Sequence, residues 1–199
     1  MEELGCDFLT ATCRKFLRGP RATGFLYVSE RILERGFEPL FIDVRGARWV
    51  EPASYRQAAT AARFEAWESA YAALIGCAVA TRYALSVGMD KIARRTPALG
   101  AQLRQGLKEI EPVRVLDRGS EQCAIVTFTI DGWIGEAFKK QMDMRGINSS
   151  LGFRELALLD FTSKGVEWCL RLSPHYYNTE EEVELVLGAV DELSHARAG

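Results

Sequence analysis

TCRKFLRGPRATGFLYV, residues 12–28, decides how the rest of the chain is read. Residues 6–13 form a short apolar stretch, and residues 23–29 (TGFLYVS) a second one, rich in aromatic and β-branched side chains. Both predict strands, and Gly19-Pro20 marks the turn between them. Lys15 falls in that turn. A lysine in such a place is ordinarily a solvated surface charge. Its alternative use is chemical: an amine held on a rigid strand end beside a cleft can condense with an aldehyde. Arg14, Arg18 and Arg21 crowd the same turn and offer charge-assisted donors to an anion such as phosphate. Gly19 and Gly24 have the spacing of a phosphate loop, but Phe25 stands where such a loop needs lysine.

Around this hairpin lie 199 residues, 48% hydrophobic and 26% charged, with net charge -2. That balance belongs to an ordinary globular chain, long enough for one large domain or two small ones. It gives no electrostatic reason to expect nucleic acid or an anionic membrane as partner. The five cysteines form no CxxC pair, so reduced thiols are expected rather than a disulfide scaffold. Two histidines are too few for a histidine-rich metal site, and no metal is expected. The acidic start and the lack of a long apolar run predict a soluble cytoplasmic protein.

Along the chain, Ser29 is placed to cap a short helix closed by Gly36, and residues 39–52 are expected to be extended and irregular. Residues 54–88 have a helical pattern, with Ala70, Leu74, Cys77, Ala78 and Thr81 on one face. A further helix is expected over 89–109, broken near Pro97. Beyond Pro112, strands are predicted at 113–117, 122–130 and 167–173, with extended chain at 147–150. Helices are predicted at 135–146 and 179–196, the last opening on a capping box from Thr179 to Glu182. This is a β-β-α-β-β-α tail with helices on one face of a sheet.

Four blocks carry a family resemblance. CDFLTATCRKFLRGPRATGFLYVS (6–29) resembles the lysine segment of class V aminotransferases, fold-type I enzymes that use pyridoxal 5'-phosphate. CLRLSPHYYNTEEEVELVLGAVDEL (169–193) resembles their C-terminal signature. ARFEAWESAYAALIGCAVA (62–80) resembles their Arg-Phe-Glu turn, although Trp67-Glu68 replaces the usual Gly-Thr and points to the isopenicillin-N-epimerase-like branch. RGINSSLGFRELALLDF (145–161) covers the loop where cysteine desulfurases carry a nucleophilic cysteine; here it reads Asn148-Ser149-Ser150-Leu151. Cysteine desulfurases of this family also usually place histidine where this chain has Arg14.

The resemblance implies an α/β fold: part of a pyridoxal-phosphate transferase large domain at 1–88, with a partial mixed sheet and long helices, followed by an α+β C-terminal domain at 89–199. It implies Lys15 as the catalytic Schiff-base lysine, with Arg14, Arg63 and Trp67 beside the cofactor. Arg171 would grip the substrate carboxylate, helped by Asn148 and Ser149. Transamination, epimerisation and C–S lyase chemistry on an amino acid share these parts. Desulfurase action is ranked below them, because serine cannot replace a sulfur-accepting thiol and Cys169 is expected to be packed. The resemblance covers about half of the family pattern, so a truncated gene, a split subunit or a cut piece is expected. Partners are then a second copy or a chain supplying an N-terminal half. A folded, non-catalytic dimerising fragment is the competing expectation.

Overall fold

The computed structural model describes residue 1 and residues 3–196. The chain divides into two compact units, Met1–Val87 and Gly88–Gly199. Among the described residues it is an α/β chain of six helices and small sheets in which every strand pairing is antiparallel.

In the first unit, strand β1 (Phe8–Thr12) pairs with β2 (Gly24–Val28), from Phe8↔Val28 to Thr12↔Gly24. Gly24 is required there: a Cβ would stand 2.6 Å from the carbonyl oxygen of Ala11. Helix α1 (Glu30–Glu34) follows, its N-terminus capped by Ser29. The Ser29 hydroxyl donates to Asp7 at 2.8 Å, and Arg31 reaches the same carboxylate oxygen at 2.7 Å, tying α1 to the hairpin. That guanidinium also holds the Asp7 carboxyl below its usual value.

A second hairpin, β3 (Ala47–Glu51) with β4 (Ser54–Gln57), replaces the irregular chain and the helix start expected there. A 3-10 turn at Ala61–Phe64 comes next, and helix α2 (Tyr71–Val87) begins well after residue 54. The half-buried face of α2 is Ala73, Gly76, Cys77, Ala80, Thr81 and Ala84, while Leu74 and Ala78 of the expected face are exposed. The reason is close approach. A Cβ on Gly76 would lie 2.8 Å from Cγ of Pro20, so small residues must face the lysine turn. The larger residues Leu74, Ile75, Val79, Tyr83 and Leu85 are left outward and exposed.

The second unit begins with α3 (Met89–Lys108), which runs through Pro97 without the expected break. Proline removes one amide, leaving the carbonyl of Ala93 without its helical donor. Both residues are exposed, so water can satisfy that carbonyl. The four-stranded sheet has the order β5 (Val113–Val115), β6 (Val126–Ile130), β8 (Trp168–Leu172), β7 (Ser150–Phe153). Alternation along the strands turns Val126, Phe128, Ile130, Leu170 and Leu172 to one face. There they pack with Leu99, Leu103 and Leu107 of α3, Phe138 and Met142 of α4 (Gly135–Met144), and Val183, Val190 and Leu193 of α6 (Glu180–His195). Thr179 and Glu182 form the predicted capping box. Helix α5 (Leu158–Lys164), which the sequence reading did not include, lays Phe161 against Leu116, Val166 and Cys169.

Candidate active site

Lys15 lies in the turn between β1 and β2, exposed to solvent. Its backbone is pinned on both sides. Its carbonyl accepts from the amide of Arg18 at 3.0 Å, and the Cys13 carbonyl accepts from Gly19 at 2.9 Å. Cys13 in turn donates to Thr23, at 3.0 Å, and the Thr23 hydroxyl closes back on Pro20 at 2.7 Å. Arg18 adopts a left-handed φ of 56°, uncommon for a non-glycine residue, and its guanidinium sits 5.2 Å from the Tyr83 ring centroid. The turn is thus a fixed backbone carrying an accessible amine. Arg14 and Arg21 are exposed on the same turn.

Arg63 is placed otherwise than a cofactor-lining role requires. It is 3% exposed, and its guanidinium donates to the carbonyls of Ala58 (2.9 Å), Leu33 (3.2 Å) and Phe37 (2.8 Å). Those bonds tie the end of α1 to the 3-10 turn; Arg63 is a brace. Trp67 precedes α2 and lies outside it, although the helical pattern was expected to span 54–88. It is 55% exposed, with the Arg45 guanidinium 5.7 Å from its ring centroid.

The second unit brings Arg171 and Ser150 together. Arg171 is on β8, an interior strand, flanked by Thr127 on β6 and Ser150 on β7. Its neighbours Leu170 and Leu172 are buried, so Arg171 stands on the opposite, exposed face. It donates to the Ser150 hydroxyl at 3.2 Å, and among the described residues it makes no ion pair. Ser149 is half-buried, and its hydroxyl is unpartnered among the described residues. Asn148 lines a groove of about 430 Å³ together with Ile147, Ser173, Pro174 and Tyr177.

Cys169 is 7% exposed, and burial pushes its thiol up from the ordinary value. Such a thiol is a packed apolar group rather than a nucleophile. The rings of His175, Tyr176 and Tyr177 cluster with centroids 4.3 to 5.9 Å apart; His175 stacks on Tyr177, and Tyr176 meets Tyr177 edge-on. The polar cluster that sequence reasoning missed is Arg104 with Asp117. Arg104 Nε donates to Asp117 at 2.6 Å, its Nη2 reaches the carbonyls of Cys123 and Ile125, and Asp117 accepts from the amide and hydroxyl of Thr127. The available signal was position: Arg104 directly follows Leu103 on the buried stripe of α3.

Residues 1–186 match the family model described as aminotransferase class-V, and the chain belongs to that family. It is 30% identical over 195 residues to a probable cysteine desulfurase of Pseudomonas putida, with 96% of this chain and 47% of the relative aligned. The apo structure of a cysteine desulfurase from Thermococcus onnurineus superposes with a TM-score of 0.84 at 29% identity, over 97% of this chain and 48% of that one. A mutant of C-DES with glycine covalently linked to its PLP cofactor shares the fold, with a TM-score of 0.73 at 23% identity, over 96% of this chain and 47% of that one. The chain spans about half the length of the curated relatives it matches. Relatives named for desulfurase action bring that reading, ranked low on the cysteine-free loop, level with the other class V chemistries.

Proposed function

We propose that this chain contributes the lysine and the carboxylate-binding arginine to a pyridoxal-phosphate enzyme of the class V group acting on an amino acid. The reading is carried by one observation: an exposed Lys15 amine on a backbone fixed by four hydrogen bonds, within residues that match the family model. The donor chemistry fits the cofactor in kind. A primary amine suits its aldehyde, and the guanidinium of Arg14 beside it suits an anionic phosphate. Arg63, committed to carbonyls, is not a candidate for that contact.

Pyridoxal phosphate, when bound, supplies an aldehyde and an electron-withdrawing ring that acidify the Cα–H of an amino acid. In this reading Lys15 would hold the cofactor through Nζ and, once displaced by the substrate amine, its free amine would move the proton at the substrate Cα. Arg171 binds the substrate carboxylate with two parallel N–H donors, and its lack of an acid partner supports that role. The Ser150 hydroxyl steadies the guanidinium, while Asn148 and Ser149 line the approach. Residues 1–88 act as part of the cofactor-bearing domain and residues 89–199 as the C-terminal one. Cysteine is the first substrate to test, given the named relatives. The buried Cys169 argues against a persulfide route through that thiol.

The test is an absorbance titration with pyridoxal phosphate, then borohydride reduction and peptide mapping. A new band near the visible edge, with cofactor fixed on Lys15, is expected. Cofactor fixed on Lys91, Lys108, Lys139, Lys140 or Lys164 with Lys15 free would refute the assignment. Sulfide release on adding cysteine would select desulfurase action. The second reading, a non-catalytic dimerising chain, is favoured by the outward apolar side of α2, where Ile75 is 66% and Leu85 61% exposed. A bare protein spectrum together with a dimer by light scattering would select it.

A further inference from the structure

Arg171 has an acid close by on its own sheet face and does not pair with it. Thr127 on β6 is the residue directly opposite Arg171 on β8. Side chains so placed in an antiparallel pair share a face, with Cβ atoms about 5 Å apart. The Thr127 hydroxyl donates to Asp117 Oδ1 at 2.6 Å, which puts that carboxylate beside Thr127 on the face that carries Arg171. An arginine side chain is long enough to cross one neighbouring strand. Arg171 nevertheless leans the other way, toward β7, and donates to the Ser150 hydroxyl at 3.2 Å. The reason lies in how Asp117 is held. Its Oδ1 accepts from the amide of Thr127 at 3.0 Å as well as from the hydroxyl, and its Oδ2 accepts from Nε of Arg104 at 2.6 Å. Nη2 of Arg104 donates to the carbonyls of Cys123 and Ile125, which fixes the guanidinium in place. The Arg104 and Asp117 side chains are 6% and 11% exposed, so water screens their attraction little.

We propose that Arg104 and Thr127 are positioning residues for Arg171: by holding Asp117 they keep a neighbouring acid from pairing with Arg171, and leave its guanidinium open to the carboxylate of a ligand. Arg104 cancels the Asp117 charge below the surface, so Arg171 keeps its own positive charge on the exposed face. A carboxylate arriving from solution then meets a guanidinium that does not first have to be pulled out of an ion pair, and it can take two parallel N–H donors. Without Arg104, Asp117 is a poorly hydrated anion with one oxygen free of donors, and Arg171 is the cation on its face of the sheet best placed to satisfy it. Arg104 and Thr127 act through Asp117 and touch no ligand themselves. The functional meaning rests on the reading of Arg171 as the carboxylate-binding group, whereas the hold on Asp117 stands on the hydrogen bonds alone.

The experiment measures, by peptide mapping and mass spectrometry, how fast phenylglyoxal modifies Arg171 in the full chain. This dicarbonyl reacts with guanidinium groups that are accessible and free of an acid partner. Arg104→Met is expected to slow the modification of Arg171 about threefold, the drop that a partly exposed ion pair supports. Adding Asp117→Asn is expected to restore the parental rate, a rescue that a merely structural role for Arg104 would not give. Thr127→Val keeps the Arg104 charge and frees one acceptor site on Oδ1, so it is expected to slow Arg171 in the same direction. Circular dichroism shows whether each variant folds, and Thr127→Val decides the test if Arg104→Met does not. The proposal is overturned if Arg171 reacts at the parental rate in the deciding single variant, or if the slowing persists once Asp117→Asn is added. Propionate, a carboxylate without an amine, tests the role of Arg171 separately. Protection of Arg171 by propionate in the parent chain supports carboxylate binding there; lack of protection refutes that binding, and the variant rates still decide whether Arg104 and Thr127 hold Asp117 away.

Discussion

Replacing Arg104 by methionine tests the buried polar cluster of the second unit. Arg104 and Asp117 have side chains only 6% and 11% exposed, and the pair is shared with two carbonyls and Thr127. Methionine keeps most of the aliphatic volume, so little of the cost comes from a cavity. What is lost is the charge opposite Asp117 and the donor to the carbonyls of Cys123 and Ile125. Breaking a buried pair from one side leaves an uncompensated charge and costs about 3–5 kcal/mol. Adding Asp117→Asn removes that charge while keeping an acceptor for Thr127, and is expected to recover at least about 1 kcal/mol. Urea unfolding followed by tryptophan fluorescence measures both variants. A Trp49→Phe, Trp67→Phe background leaves Trp133 and Trp168, both in the second unit, as reporters. With the denaturant slope unchanged, the midpoint gives the free energy. A loss below about 1 kcal/mol for Arg104→Met, or no recovery in the double variant, would refute the claim that the site is dry enough to require its counter-ion.

In an assembled form active on an amino acid, Arg171→Leu is expected to raise KM well over tenfold and leave Tm nearly unchanged. A charged carboxylate clamp contributes about 1.5–3 kcal/mol, and the exposed Ser150 contact contributes little to folding. A large Tm loss with unchanged kinetics would make Arg171 structural. Glu180 predicts a pH effect: its bond to Arg95 lowers its carboxyl from 4.5 to about 2. A depressed folded value means stabilisation that is full above the unfolded value and lost as pH falls from about 4.5 toward 2. Urea midpoints across that window should fall less steeply in Arg95→Gln than in the parent chain, and identical slopes would remove the pair from the acid response.

Features written in local residue chemistry were legible in the sequence. The Gly19-Pro20 turn between two apolar runs gave the hairpin, and the Thr179 to Glu182 spacing gave the capping box, because a few adjacent residues decide each. Lys15 and Arg171 could be singled out by resemblance and by charge type. Elements decided by distant partners were not legible. The Ser54–Gln57 strand sits in alanine-rich chain and exists through its pairing with Ala47–Glu51. The face of α2 was assigned by hydrophobicity, whereas Pro20 selects small residues against it. Arg63 looked like a ligand-binding arginine because the carbonyls that occupy it belong to residues 33, 37 and 58. The buried role of Arg104 depends on partners 13 to 21 residues further along the chain.

The position of α6 in the chain has a consequence for how the protein is made. Val183, Val190 and Leu193 complete the packed layer over Phe128 and Leu170, yet they are translated after every strand of that sheet. While the ribosome is still extending residues 113–172, the apolar side of β6 and β8 lacks its last cover. A premature stop before Glu180 would leave that layer uncovered for good, and its product would be expected to aggregate or be degraded rather than persist as a shorter folded protein.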